Sequence, residues 1–139
     1  MRDEDTLMGI QQALDELYAM AADHAILVEG RKDRASLNRL GIDGEIIEIQ
    51  GLGPLRAVER VEAGARRAVI LTDWDRKGGI IASDLAGRLS ALGIPFDASV
   101  RARLSALSKR HIKDVESLWS LVERLTLGQP GERLPRNKD

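Results

Sequence analysis

AVILTDWDRKGG, residues 68–79, carries the chain from an apolar run through two acids and two glycines into IIASDLAGRLSALG at 80–93. Its first part reads as a short strand buried on both faces, because the apolar residues are contiguous rather than alternating with polar ones. DWDRKGG reads as a loop, and the segment after it as a helix capped by Gly93. Upstream, AILVEG at 25–30 has the same form, an apolar run stopped by an acid and a glycine. A helix from about Asp33 to Leu40 follows, closed by Gly41. Then come a second strand, EIIEIQ at 45–50, a turn GLGP, and a helix from Pro54 to about Ala63 closed by Gly64. IPFDASV at 94–100 is a weaker fourth strand, RARLSALSKR at 101–110 is basic and helical in part, and a last helix runs from near Asp114 through VESLWSLVERL. Strands and helices alternating at this spacing imply an α/β fold: about four mainly parallel strands, right-handed crossovers, and helices on both faces.

The N-terminal segment sets Leu7, Ile10, Leu14, Leu17 and Met20 at three- and four-residue spacings, with Asp3, Glu4 and Asp5 at its start. That is an amphipathic helix with acids at the positive end of its dipole. We expect residues 1–23 to pack as this helix on a domain spanning 24–126. Residues 127–139, rich in Gly, Pro and charge without apolar periodicity, are expected to form a disordered tail.

A length of 139 residues fits one domain, and 43% hydrophobic with 31% charged residues is a globular composition. Aromatics are only 3%, so the core should be aliphatic. Cysteine is absent, which removes disulfides, thiol nucleophiles and thiolate zinc sites; His24 and His111 are far apart in sequence and make a poor basis for zinc. Any metal should be a hard cation held by oxygen. No basic and apolar leader and no membrane-spanning run is present, so a cytoplasmic location without a membrane partner is expected. A net charge of −1 lacks the basic excess common in nucleic-acid binders. Nucleic-acid contact must then rest on local charge. Arg101, Arg103, Lys109, Arg110 and Lys113 lie between Asp97 and Asp114 with no acid among them, although a solvated helix face would read the same way.

Glu29 ends the first strand and Asp73 the third. In a 2-1-3-4 strand order these strands are neighbours, and both side chains emerge at one edge of the sheet beside the point where strand order reverses. Asp75 follows two residues after Asp73, and Gly30, Gly78 and Gly79 leave room for a phosphate to approach the backbone. Three carboxylates at one point repel unless a cation lies between them, and Mg²⁺ suits such a site, with Mn²⁺ as a substitute. A lone Glu at a strand end or a lone DxD is otherwise a solvated loop or a turn. Asp33, opening a helix, reads first as an N-cap and second as a ligand. Asp114 and Glu116 suit a helix start by the dipole alone and are candidates for an outer shell. A calcium loop is rejected because Lys77 takes a ligand position and a strand precedes it, where that motif needs a helix. Lys77 also stands where an aspartyl phosphotransferase usually has Thr or Val.

ILVEGRKD and VILTDWDRKGG resemble the two motifs of the Toprim family, Glu-Gly after a hydrophobic run and Asp-x-Asp before a glycine. Toprim domains have a Rossmann-like fold and occur in primases, type IA and type II topoisomerases, nucleases and recombination-repair proteins. The resemblance covers roughly residues 24–120. It is strongest to the small stand-alone Toprim proteins of archaea, and KDVESL at 113–118 is similar to a late acidic segment of the nuclease that matures 5S ribosomal RNA. It implies that Glu29 is the general acid or base and that Asp73 and Asp75 hold Mg²⁺. A topoisomerase is excluded for this chain alone, since Tyr18 lies in the amphipathic helix, and a primase would need modules that the length cannot house.

The expectation is Mg²⁺-dependent cleavage of RNA or DNA, with Glu29 ligating the ion or shuttling a proton. Arg31, Lys32, Arg76 and Lys77 would grip flanking phosphates. The alternative is a non-catalytic, metal-dependent nucleic-acid-binding subunit with protein partners in a larger processing complex.

Overall fold

The structure, a computed structural model, describes residues 1–128. β1 (Ala25–Val28), β2 (Ile46–Glu48), β3 (Ala68–Ile70) and β4 (Phe96–Asp97) form one sheet in the order β2-β1-β3-β4, with every pair parallel. Ile26 sits between Ile46 and Val69, and Leu27 between Ile47 and Ile70.

Successive residues of the central strands enter two different cores. Ile26, Val28, Val69 and Leu71 pack with Leu7, Ile10, Leu14, Leu17, Leu37, Leu104 and Leu118. Ala25, Leu27, Ala68 and Ile70 pack with Ile47, Val58, Val61, Leu85 and Leu89. Both faces are therefore covered, and this is why the strands read as unbroken apolar runs. The first face carries α1 (Asp3–Met20), α2 (Arg31–Arg39), α6 (Ser99–Ser108) and α7 (Leu118–Leu127). The second carries α3 (Ile49–Leu52), α4 (Pro54–Ala63) and α5 (Arg76–Ala91). The architecture is α/β and Rossmann-like. α1 packs on α6 and α7, and the periodic residues Leu7, Ile10, Leu14 and Leu17 are its buried stripe.

Several boundaries differ from expectation: α2 already begins at Arg31, β3 ends at Ile70, three residues before Asp73, and of IPFDASV only Phe96 and Asp97 are strand while Ser99 and Val100 open α6. EIIEIQ is strand only to Glu48, where the chain turns into the short α3; the Gln50 N–H donates to the Glu29 carbonyl (2.9 Å). RKGG is not loop but the first turn of α5, because Asp75 caps it by accepting from the Gly78 N–H at 2.7 Å. Asp114 to Ser117 form a turn ahead of α7, in which Asp114 accepts from the Ser117 N–H at 2.8 Å. Of the expected tail, Leu127 closes α7 and Gly128 caps it; residues 129–139 lie outside the described residues. Among the described residues no helix is long and apolar enough to cross a membrane.

Candidate functional site

β1 and β3 lie side by side where strand order reverses, so the loops leaving their carboxyl ends bound a crevice. Glu29, one residue past β1, is 6% exposed, and its Oε2 accepts from the Asp73 N–H at 2.9 Å. Its own carbonyl holds Gln50. One residue thus ties the ends of β1, β2 and β3 together. Asp73 Oδ1 accepts from the Val115 N–H at 3.0 Å, which brings the turn before α7 against the end of β3.

Asp33, also 6% exposed, is not the N-cap it was expected to be. α2 starts earlier, with Gly30 at the cap, and Asp33 in the third helical position reaches back to accept from the Gly30 N–H at 2.9 Å. With Asp114 and Glu116 these residues place five carboxylates, Glu29, Asp33, Asp73, Asp114 and Glu116, around one cleft of about 330 Å³. Gly30, Gln50, Arg31 and Lys32 complete its wall, and the side chains of Arg31 and Lys32 are exposed.

The electrostatics follow from this crowding. Burial pushes Asp73 up to about 7, the charges of Asp33, Glu29 and Asp114 add to the rise, and the Val115 N–H opposes it. Burial likewise raises Asp33, with the Gly30 N–H opposing and the Glu29 charge adding. Among the described residues no ion pair joins any of the five acids to Lys, Arg or His. Nor do three of them, as placed, form a closed ligand group for an ion. Mg²⁺ does not require one, since it binds through one or two carboxylates and keeps several waters. Uncompensated hard oxygen donors in a partly buried cleft fit that ion.

The other expected site residues lie outside the acid cleft. Asp75 is exposed, does not line the cleft, and has one oxygen engaged in capping α5. Arg101 donates to the carbonyls of Thr72 (2.9 Å) and Asp73 (2.7 Å), and Arg103 to Glu16 of α1 (2.9 Å), so both guanidinium groups hold the protein's own parts. Arg76, Lys109, Arg110 and Lys113 are exposed. Lys77 lines an apolar hollow with Ile49, Pro54 and Ile81, joined to the acid cleft through Glu29 and Gln50.

Gly78 is buried where a Cβ would come within 1.8 Å of the Asp73 carbonyl oxygen, while Gly79 has only the Arg101 guanidinium nearby, at 3.9 Å. Gln50, read from sequence as the last residue of a strand, lines both hollows; a polar residue after an apolar run gave no signal of that.

No family model matches the chain. It is 40% identical over 124 residues to the UPF0292 protein of Methanosarcina barkeri, covering 87% of this chain and 85% of that protein. It is 42% identical over 103 residues to the UPF0292 protein of Pyrococcus horikoshii, covering 74% and 77%. The chain belongs to the UPF0292 family. A more distant member, the UPF0292 protein of Methanocaldococcus jannaschii, is 30% identical over 125 residues, covering 89% of this chain and 98% of that protein. Among solved structures, a protein from Aquifex aeolicus matches with a TM-score of 0.67 at 26% identity, over 77% of this chain and 95% of that one.

Proposed function

We propose that this UPF0292 protein is a cytoplasmic, Toprim-like protein that uses Mg²⁺, or Mn²⁺ in its place, for nuclease-like cleavage of nucleic-acid phosphodiester bonds. One observation carries the reading: five acids with no ion-pair partner among the described residues surround a cleft at the strand-order reversal, and burial together with their crowding pushes Asp73 up to about 7. Such a group of carboxylates at neutral pH calls for protons or a cation. Glu29 and Asp73 would hold the ion with Asp33 and Asp114 beside them, and when bound it neutralises the charge that builds on a phosphate under attack.

The chain's own groups have separate tasks. Glu29, buried and fixed by the Asp73 N–H through one oxygen, keeps the other either to ligate the ion or, in place of that, to move a proton at the attacking or leaving oxygen. Arg31 and Lys32 stand on the wall of the cleft to bind flanking phosphates, and Lys77 approaches from the apolar side. The basic segment from Arg101 to Lys113 contributes less than its charge suggested, because Arg101 and Arg103 are engaged within the fold.

A second reading, a non-catalytic metal-dependent nucleic-acid-binding subunit, is supported by the exposed Arg31 and Lys32 on the cleft wall, which would hold phosphates whether or not a bond is cut. Incubation with labelled single- and double-stranded RNA and DNA, in Mg²⁺ or Mn²⁺ against chelator, separates the two. Metal-dependent cleavage that falls by roughly 10²–10⁴-fold in Glu29→Gln, with binding largely retained, is expected of the enzyme. A wild type that cuts no strand under any of these conditions, while Glu29→Gln alters only affinity, assigns the protein to the binding class.

A further inference from the structure

The acid cleft continues on one side into a hollow of about 220 Å³ between α2 and α7, walled by Lys32, Ser36, Arg39, Glu116, Trp119 and Ser120. Lys32 and Glu116 belong to both spaces, so the two are one surface. Within it the Arg39 guanidinium lies over the Trp119 ring, 4.4 Å from its centroid. The chain has two tryptophans. Both are half-buried; Trp74 is held by its Nε1–H, which donates to the Ile112 carbonyl at 3.0 Å, and Trp119 lies beside the cleft under an exposed arginine.

Partial exposure is ordinary for an indole; what sets Trp119 apart is its place, stacked with an arginine on the wall that continues from the acid cleft. Arginine and tryptophan planes are the surfaces on which unpaired bases stack. Lys32 lines both spaces together with Glu116, and its ammonium is the group there that would pair with the phosphate joining a stacked nucleotide to its neighbour.

We propose that Arg39 and Trp119 form a platform for an unpaired base of a single-stranded nucleic acid whose adjacent phosphate enters the acid cleft. The proposal rests on the reading of that cleft as a phosphodiester site, and it names the substrate as single-stranded. Bases stacked inside a duplex offer no free face to the platform, so a duplex would bind through its phosphates alone. The competing account is a tether between α2 and α7, which already meet where the Trp119 N–H donates to the Ser36 hydroxyl at 3.1 Å.

The test is fluorescence anisotropy of a short labelled single strand and of the blunt duplex of the same sequence, in Ca²⁺ as a hard oxygen-bound cation in place of Mg²⁺, with wild type, Trp119→Ala, Trp119→Phe and Arg39→Gln. Melting temperatures accompany each variant, and Arg39 is exposed, so Arg39→Gln keeps the fold even where Trp119→Ala does not. Single-strand affinity should fall about tenfold in Trp119→Ala and less in Trp119→Phe. It should also fall in Arg39→Gln, with duplex affinity unchanged throughout. The platform is overturned if Trp119→Ala and Arg39→Gln bind the single strand as wild type does, if strand and duplex lose affinity equally, or if wild type binds neither. The same proteins assayed for cleavage in Mn²⁺ keep the two readings apart. Binding through Trp119 without cleavage leaves the platform standing and removes the nuclease; cleavage that ignores both residues does the reverse.

Discussion

Asp73 accepts one backbone hydrogen bond, yet burial and the charges of Asp33, Glu29 and Asp114 outweigh that donor and push its carboxyl up to about 7. The ordinary value is 3.8, so the folded protein keeps this proton through a range in which the unfolded chain has released it. The stability contributed is fully present below about pH 4 and is lost as pH rises towards 7. In chelator, the melting temperature should therefore decline over this window more steeply in wild type than in Asp73→Asn. Near neutral pH the variant should be as stable as wild type or more so. A variant less stable than wild type at neutral pH without metal would make Asp73 a structural acid. Glu29 and Asp73 were legible as a pair because each follows a buried apolar run, which locates a strand end. Asp75, Gln50 and Arg101 were not, since capping, cleft lining and carbonyl binding depend on which backbone groups lie near, and residue type does not report that.

Helix α5 shows how a glycine pair can be misread. Two glycines after DWDRK suggested a loop, but they belong to the first turn of the helix. Gly78 is there because the helix starts directly beneath the Asp73 carbonyl, which Thr72 reinforces by donating its hydroxyl to the Gly78 carbonyl at 2.8 Å. Gly78→Ala must displace backbone, an overpacking that costs about 1–3 kcal/mol or more, and the displaced group is Asp73 itself. Gly79→Ala meets no such obstacle and should gain up to about 1 kcal/mol from helix propensity. Chemical denaturation of both variants checks the contrast, and equal effects would contradict it. Where the punctuation was unambiguous the reading was accurate: Pro54 and Gly64 bracket α4. EIIEIQ misled because an apolar run alone does not say where a strand stops pairing and turns into a helix.

Across the whole molecule, the strand order β2-β1-β3-β4 makes a site of residues 44 apart in sequence, and the two covered faces leave the strand ends as the open crevice. The alternation of elements made a parallel sheet legible, but the order entered only as the condition under which Glu29 and Asp73 would meet. The turn before α7, which brings Asp114, Val115 and Glu116 to the cleft, was legible in part: Asp114 and Glu116 read as candidates for an outer shell, while the Val115 N–H on Asp73 gave no signal. The central claim is that this cleft takes a divalent cation on Glu29 and Asp73. Calorimetric titration of Mn²⁺ at neutral pH into wild type, Glu29→Gln, Asp73→Asn and Asp75→Asn tests it most directly. Asn caps helices well, so Asp75→Asn should bind as wild type does if Asp75 serves α5 alone, and a loss there would return it to the ligand set. Saturable binding in wild type that weakens sharply in Glu29→Gln and Asp73→Asn is the expected result. A wild type that takes up no ion at millimolar concentration, or an Asp73→Asn protein that binds as tightly as wild type, would contradict it.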